Sequence, residues 1–389
     1  MIHIVDVLVC STFLLVQWRI TVILLRAAAA RLRGARLMLA RGAIVVLDAV
    51  LLVGYALSFS ELLSRAKLPP EVGSFFAAAA LVYLLLATAW LCLHFLTRFA
   101  LDRWNADVDP GRRRAIQLAG QAAMIVPAAV LGYGTFIERL DFGVREIDVP
   151  IPQLPPDLEG LRILQISDIH RGPFLSDRDL GRVIDASLGL HPNLTVITGD
   201  LISVAGDPLD SCIRQLARLK ADAGVYGCMG NHEQFANATD YTEAAAARVG
   251  IRFLRGRSQA LRFGAATLNL VGVDYQPKNW GGRRYLPGAE RLVEPGAVNI
   301  LLSHNPDVFP VAARQGYNLL LAGHTHGGQV NLEILDQAIN PARFQTPYTY
   351  GLYRSSTAAA YVTRGIGTIG LPTRIGAPPE ITVLRLRKV

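Results

Sequence analysis

The stretch Ser74–Leu96 reads SFFAAAALVYLLLATAWLCLHFL and carries no Asp, Glu, Lys or Arg. A helix of ~20 apolar residues crosses the hydrocarbon core of a bilayer, whereas a buried helix of a soluble protein of that length usually presents a charged face. Three further runs share this character. Ala43–Ser60 is apolar apart from Asp48, Ile116–Phe136 is diluted by Gln, Gly and Pro, and Ile2–Trp18 contains Asp6 with room to slide past Arg19 toward Leu25. Four membrane spans are expected. The arginines of the first run follow its apolar part instead of preceding it, which argues against a secretory signal peptide.

The arginines orient these spans. Arg19, Arg26, Arg31, Arg33, Arg36 and Arg41 crowd the first connection, and Arg98, Arg103, Arg112, Arg113 and Arg114 the third. The second carries only Arg65 and Lys67. The positive-inside rule puts the first and third connections in the cytoplasm. Both chain ends then face outward, so the expectation is a multi-pass inner-membrane protein whose second half is extracytoplasmic. The formal net charge of +8 is thereby explained by membrane orientation, and no nucleic-acid partner is expected. With 51% apolar and 18% charged residues the chain is too apolar to be disordered and poor in charge for a wholly soluble protein. Asp48 is expected to face another helix of the bundle. Cys212 and Cys228 are the pair open to a disulfide in an oxidising compartment.

The character changes near residue 140. Residues 1–140 form the helical membrane region, 141–160 a lead-in whose segment IDVPIPQLPPDL is too rich in proline for helix, and 161–389 a second domain. Short apolar strands are expected at Arg162–Ser167, Leu194–Thr198, Val225–Met229, Ala266–Val273, Val298–Ser303, Leu319–Ala322, Ala360–Thr363 and Glu380–Leu386. Helices are expected between them at Asp177–Leu190, Pro208–Leu219, Thr239–Val249 and Asp307–Gln315. Such alternation implies an α/β layered fold.

Five of these strand ends finish in metal-ligand chemistry: Asp168-Ile169-His170, Gly199-Asp200, Gly230-Asn231-His232-Glu233, Ser303-His304 and Gly323-His324-Thr325-His326. The chain has eight histidines, and five of them lie here. Loops leaving the carboxyl ends of strands in open α/β sheets converge on ligands. Each piece alone is weak, since Gly-Asp after a strand is usually a turn. All five in this order are very unlikely by chance.

The set resembles the calcineurin-like metallophosphoesterase superfamily, whose pattern is Asp-x-His, Gly-Asp, Gly-Asn-His-Asp/Glu, a lone His and Gly-His-x-His. The resemblance covers Leu161 to the C-terminus. The strings SDIHRG, GNHE, LLSHNPD, GHTHGGQ and TRGIGTIGLPTRIGAPPE look like its bacterial membrane-associated or exported branch. It implies a β-sandwich flanked by helices, in place of a single doubly wound sheet. It implies a metal-dependent phosphoesterase, a hydrolase acting on ester bonds. Asp168, His170 and His326 would hold one divalent metal ion, Asn231, His304 and His324 the second, and Asp200 both. Imidazoles with carboxylates suit Mn, Zn or Fe better than Mg. A hydroxide bridging the two metals would attack phosphorus. His232 would serve as general acid or electrostatic stabiliser, and Glu233, where many relatives have Asp, would orient it.

Arg171 and Arg364 are the expected phosphate-binding residues, because arginine binds phosphate oxygens bidentately. The segment YQPKNWGGRRYL, residues 275–286, reads as a substrate loop or an exposed connection. The expected substrate is a phosphodiester or pyrophosphate with a lipid part, since a membrane-tethered enzyme and a lipid share two dimensions. The alternatives are an anchored phosphodiesterase acting on a soluble substrate and a catalytically silent metal-binding sensor, and the intact ligand set and His232 argue against the second.

Overall fold

The protein is seen here in a computed structural model that describes residues 4–58, 83–84, 86–92, 95–96, 99, 111, 129–277, 285–334 and 337–389. Two compact units divide the chain, Met1–Thr135 and Phe136–Val389.

The first unit contains helices α1 (Ile4–Arg31) and α2 (Gly34–Ser58). Gly34 ends the connection with φ +54°, a left-handed conformation that glycine adopts without strain. Asp48 faces α1, accepting hydrogen bonds from the Gln17 amide and, at 3.0 Å, from the Thr21 hydroxyl. Val16 and Ile20 pack with Ala87 and Leu91. Among the described residues one segment is long and apolar enough to cross a membrane, Ser11–Ala30, of mean hydropathy 1.6, where the sequence leads one to expect four. It lies later than Ile2–Trp18 because the helix runs on through Arg19, whose guanidinium lies 5.1 Å from the Trp18 ring centroid. A long basic side chain can lay its stem along apolar surface without ending a helix. The span expected over Ala43–Ser60 falls almost wholly in α2, which begins earlier and takes in Arg36 and Arg41. Those expected over Ser74–Leu96 and Ile116–Phe136 lie mostly outside the described residues.

The second unit is built on two six-stranded sheets. The first contains β1 (Gly143–Ile151), β2 (Arg162–Ile166), β3 (Leu194–Ile197), β4 (Val225–Gly227), β5 (Ile251–Phe253) and β14 (Glu380–Lys388), in the order β1-β14-β2-β3-β4-β5. The second contains β6 (Arg257–Phe263), β7 (Ala266–Gly272), β8 (Val298–Leu302), β9 (Leu319–Ala322), β12 (Gly351–Arg354) and β13 (Ala359–Val362), in the order β12-β13-β9-β8-β7-β6. A hairpin of β10 (Leu332–Ile334) and β11 (Gln337–Ile339) stands apart. The central strands β2-β3-β4 and β13-β9-β8-β7 run parallel.

Period-two alternation sets the layers. Ile163 of β2 and Leu319 and Leu321 of β9 point into a common core between the sheets, while Leu164 and Ile166, or Leu320 and Ala322, point outward. The outer face of the first sheet is covered by α3 (Asp177–Leu188) and α4 (Leu209–Leu216). Both bury an i, i+3, i+4, i+7 stripe: Leu180, Val183, Ile184 and Ser187 in one, Leu209, Cys212, Ile213 and Leu216 in the other. Ser176 caps α3 by accepting the Asp179 amide at 3.2 Å. Further helices are α5 (Asn231–Phe235), α6 (Thr239–Ala247) and α7 (Phe309–Gln315). Cys212 belongs to the outer layer and Cys228 to the core between the sheets, and both are free.

The proline-rich lead-in contains β1, an edge strand paired only with β14, where Pro150 has no missing partner to answer for. Strands β6 and β12 are the edges of the second sheet; their partly exposed, polar-interrupted sequences carry little strand signal.

Candidate metal centre

Strands β2, β3 and β4 of one sheet and β8 and β9 of the other end on the same rim, and each continues directly into one of the motifs. The chain turns sharply there. Asp168, His170, Asp200, His324 and His326 have φ of 51°, 46°, 54°, 76° and 52°. Positive φ is uncommon outside glycine, costs free energy, and clusters at functional sites. The motif glycines answer a second demand, close approach between loops. A Cβ on Gly230 would sit 2.0 Å from Asp200 Oδ1, and one on Gly323 2.2 Å from Asp168 Oδ2.

Six of the seven expected ligands come together as two sets that meet at Asp200, and the seventh, Asn231, is buried at the start of α5, just after β4. Ligating atoms of Asp168, His170 and His326 lie within 4.8 Å of one another, as do those of Asp200, His304 and His324. His326 Nε2 is 3.0 Å from His170 Nε2 and 3.4 Å from Asp168 Oδ1. Asp200 Oδ2 lies 2.9 Å from His304 Nε2 and 3.5 Å from His170 Nε2, one histidine of each set. Asp200 Oδ1 instead accepts the His232 amide at 2.9 Å. One oxygen of Asp200 therefore faces a histidine of each set.

The backing of the ligands fixes their orientation. His304 Nδ1 donates to the Thr198 carbonyl at 2.7 Å, which leaves Nε2 as the free donor of the ring. The Ser203 hydroxyl lies 3.2 Å from His170 Nδ1. The Asp168 Oδ1 atom accepts the His324 amide at 2.9 Å. Asp168 Oδ2 and Asn231 Oδ1 are buried with no hydrogen-bond partner, which is the state expected of oxygens aimed at a cation. With four imidazoles, two carboxylates and one amide oxygen, these residues fit divalent metal of the Mn, Zn or Fe type.

Burial governs the charges. It pushes His170 down to about 3, His324 to about 4 and His326 well below the usual histidine range, so these rings are neutral, the form that binds metal. On His304 burial opposes a charge and the adjacent Asp200 carboxylate favours it, raising the ring to about 10; a cation held at Nε2 would take the place of that proton. Asp200 is correspondingly held well below the carboxylate range, burial opposing and His304 prevailing. Burial lifts Asp168 to about 6, against the pull of His304.

His232 stands beside both sets. Its ring centroid is 4.8 Å from that of His170, and its Nδ1 donates to the Ser203 carbonyl. Glu233 does not orient it. The buried Glu233 carboxylate accepts the amides of Gly230 at 2.9 Å, Asp200 at 3.0 Å and Leu201 at 2.7 Å, because the short helix α5 turns its side chain back under the loop. Arg171 is not placed to bind phosphate. Its buried guanidinium donates to the Gly172 and Leu175 carbonyls and pairs at 2.9 Å with Asp177, which it holds below the usual carboxylate range. Arg364 is closer to the centre. It is mostly buried, stacks 4.4 Å from the Tyr350 ring centroid, and its stem crosses Gly327.

Sequence reasoning missed Ser203 and Thr198, which act through a carbonyl or hydroxyl that no motif marks. It also left the glycines of the TRGIG string without a role. Ile366 and Gly367 donate their amides to the Ser167 and Asp168 carbonyls at 3.0 and 2.7 Å, so this loop lies against the first ligand. Beside the centre opens a cleft of about 370 Å³, lined in part by Tyr275, Asn305, Asp307, His324, Gln329 and Thr346. Tyr275, the first residue of the expected substrate loop, has its ring 5.3 Å from His324. Residues 278–284 of that loop lie outside the described residues.

Two layered sheets with a rim of carboxylates and imidazoles define a metallohydrolase. The profile of calcineurin-like phosphoesterases matches residues 161–328. An uncharacterized metallophosphoesterase of Bacillus subtilis (strain 168), YkuE, is 30% identical over 66% of this chain and 89% of its own length. Phosphodiesterase YaeI of Escherichia coli (strain K12) is 26% identical over 71% of this chain and 98% of its own. A transmembrane protein with metallophosphoesterase domain from Danio rerio is 32% identical over 68% of this chain, which spans 62% of that protein. The chain belongs to the calcineurin-like phosphoesterase family, and is a metal-dependent hydrolase.

Proposed function

We propose that this protein is a membrane-anchored phosphoesterase that hydrolyses a phosphodiester or pyrophosphate bond at a pair of divalent metal ions. The observation that carries the reading is Asp200 Oδ2, which faces His304 of one ligand set and His170 of the other. When bound there, two ions would polarise the phosphoryl oxygens and supply the nucleophilic water. The protein's own contributions are separate. Glu233 and Gly230 hold the Asp200 loop against the Asn231 loop, and Asp168 and Asp200 anchor the His324 and His232 amides. His232, with Nδ1 fixed on Ser203, presents Nε2 to protonate or stabilise the leaving oxygen. The adjacent cleft receives the remainder of the substrate.

The membrane reading rests on the inside-out character of the first two helices. Leu14, Leu15 and Trp18 are 54%, 58% and 57% exposed while Gln17 between them is 5% exposed. Large apolar side chains facing outward, with Gln17 and Thr21 turned inward onto Asp48, suit lipid and not water. With the arginine distribution, this supports an inner-membrane protein with an extracytoplasmic catalytic unit and a lipid-linked substrate. The test is metal analysis of the purified full-length protein together with a phosphoester panel that includes soluble diesters, pyrophosphates and lipids. Two ions per chain and preferential turnover of lipid phosphoesters are expected. Metal-loaded protein that turns over none of them would make it a silent metal-binding sensor, and exclusive turnover of soluble diesters would remove the lipid.

A further inference from the structure

Arg374 has a fully buried guanidinium, whose charge Asp168, Glu380 and Glu138 favour from a distance. Its hydrogen bonds go to the backbone. Nε donates to the Gly367 carbonyl at 3.0 Å, Nη1 to the Ala377 carbonyl at 2.8 Å, and Nη2 to the Arg364 carbonyl at 2.8 Å. The same fork reaches His326, with Nη1 3.5 Å from its carbonyl and Nη2 3.3 Å from Nδ1. Burial lowers the group to about 10, which leaves it a cation at neutral pH.

The partners of Arg374 are the backing of one ligand set. The Arg364–Gly367 loop that it grips lies on the first ligand: a Cβ on Gly365 would sit 2.5 Å from Asp168 Cβ, and one on Gly367 2.1 Å from the Ile169 carbonyl. Its other end lies against the His326 backbone, with Nη1 3.5 Å from the carbonyl. Asp168 and His326 belong to the same set. None of its hydrogen bonds reaches Asn231, His304 or His324. A buried cation is costly, and packing alone would be better served by an apolar side chain. Five donors in a rigid plane span these separate acceptors, as a lysine ammonium cannot.

We infer that Arg374 is a positioning residue for the Asp168–His170–His326 half of the centre, fixing the loop behind Asp168 against the backbone of His326. The inference rests on the two-metal reading above.

The experiment is a Mn²⁺ titration of the full-length protein, followed by calorimetry and by the electron paramagnetic resonance signal that distinguishes a coupled pair from an isolated ion. Wild type is expected to bind two coupled ions. Arg374→Lys, which keeps the charge and loses the fork, is expected to bind one ion as before and the other about 10–100-fold more weakly, the range seen when outer partners of a ligand are removed. The signal becomes that of an isolated ion, and adding His304→Ala abolishes it. Gly367→Ala, which displaces the carbonyl that Arg374 grips and undocks the same loop, is expected to give the same selective loss and carries the test if Arg374→Lys does not fold. Unchanged affinities, or equal weakening of both ions, would overturn the role of Arg374. A wild-type protein that binds a single ion would overturn the two-metal reading and the inference with it, a result distinguishable because it needs no variant.

Discussion

Glu233 holds Asp200 through the backbone: its carboxylate accepts the Asp200 amide at 3.0 Å and the next amide, of Leu201, at 2.7 Å. The acid following His232 thus supports the central carboxylate of the site, and His232 itself is oriented by the Ser203 carbonyl. This separates the roles of two neighbouring residues that the motif presents as a pair.

Glu233→Gln should therefore act on stability and metal uptake before it acts on proton transfer. An amide has one acceptor oxygen, so its NH₂ must confront at least one of the three backbone N–H groups. Leaving such a buried donor unsatisfied costs about 1–3 kcal/mol. Denaturant unfolding should show that loss, with weakened metal binding and no change in the leaving-group dependence of the residual rate. A variant as stable as wild type would show the three hydrogen bonds to be unimportant.

Asp200→Asn should lower bound metal and remove nearly all turnover. The substitution places a neutral amide where one oxygen faces His304 and His170, and it deprives His304 of the carboxylate that holds its charge. Elemental analysis and a rate assay on the same sample decide the matter. Two ions and full activity would remove Asp200 from the centre.

On the proposed ligand set, His232→Ala should keep both metals, because its ring is held by Ser203 and lies outside that set. The loss in kcat should be on the order of 10²–10⁴, the usual range for general acid catalysis. It should shrink for substrates with good leaving groups, which need less protonation. Equal losses on good and poor leaving groups would assign His232 to electrostatic stabilisation. Loss of one metal would make it a ligand, an outcome to watch because it lies within 4.8 Å of the ligating atoms of His170 and Asp200.

A reporter active only in the periplasm, fused after Val389, should be active. The expectation follows from the arginines in the first and third connections. It holds with either three or four spans, provided Ile116–Phe136 crosses. Activity of a cytoplasm-only reporter at the same position would reverse the orientation and point to a substrate in the inner leaflet.

By itself the sequence determined the family, through the motif residues that the fold gathers on one rim, and the central strands that carry them. Asp168, Asp200, His304 and His324 each follow an apolar parallel strand, buried on both faces and so visible as an unbroken apolar run. It also determined the helices α3 and α4, whose apolar stripes have helical spacing. The edges β1, β6 and β12 were hidden because a strand paired on one side tolerates proline and polar residues. Only the tertiary structure decided what backs each ligand. Ser203 serves through a carbonyl, Gly365 and Gly367 through the side chains they lack, and Arg374 by reaching carbonyls on separate loops, and none of these has a signature in residue type. It decided against Arg171 for the same reason: an arginine next to a ligand pair can bind phosphate or brace its own loop, and which one it does depends on where the Leu175 carbonyl and Asp177 lie in space.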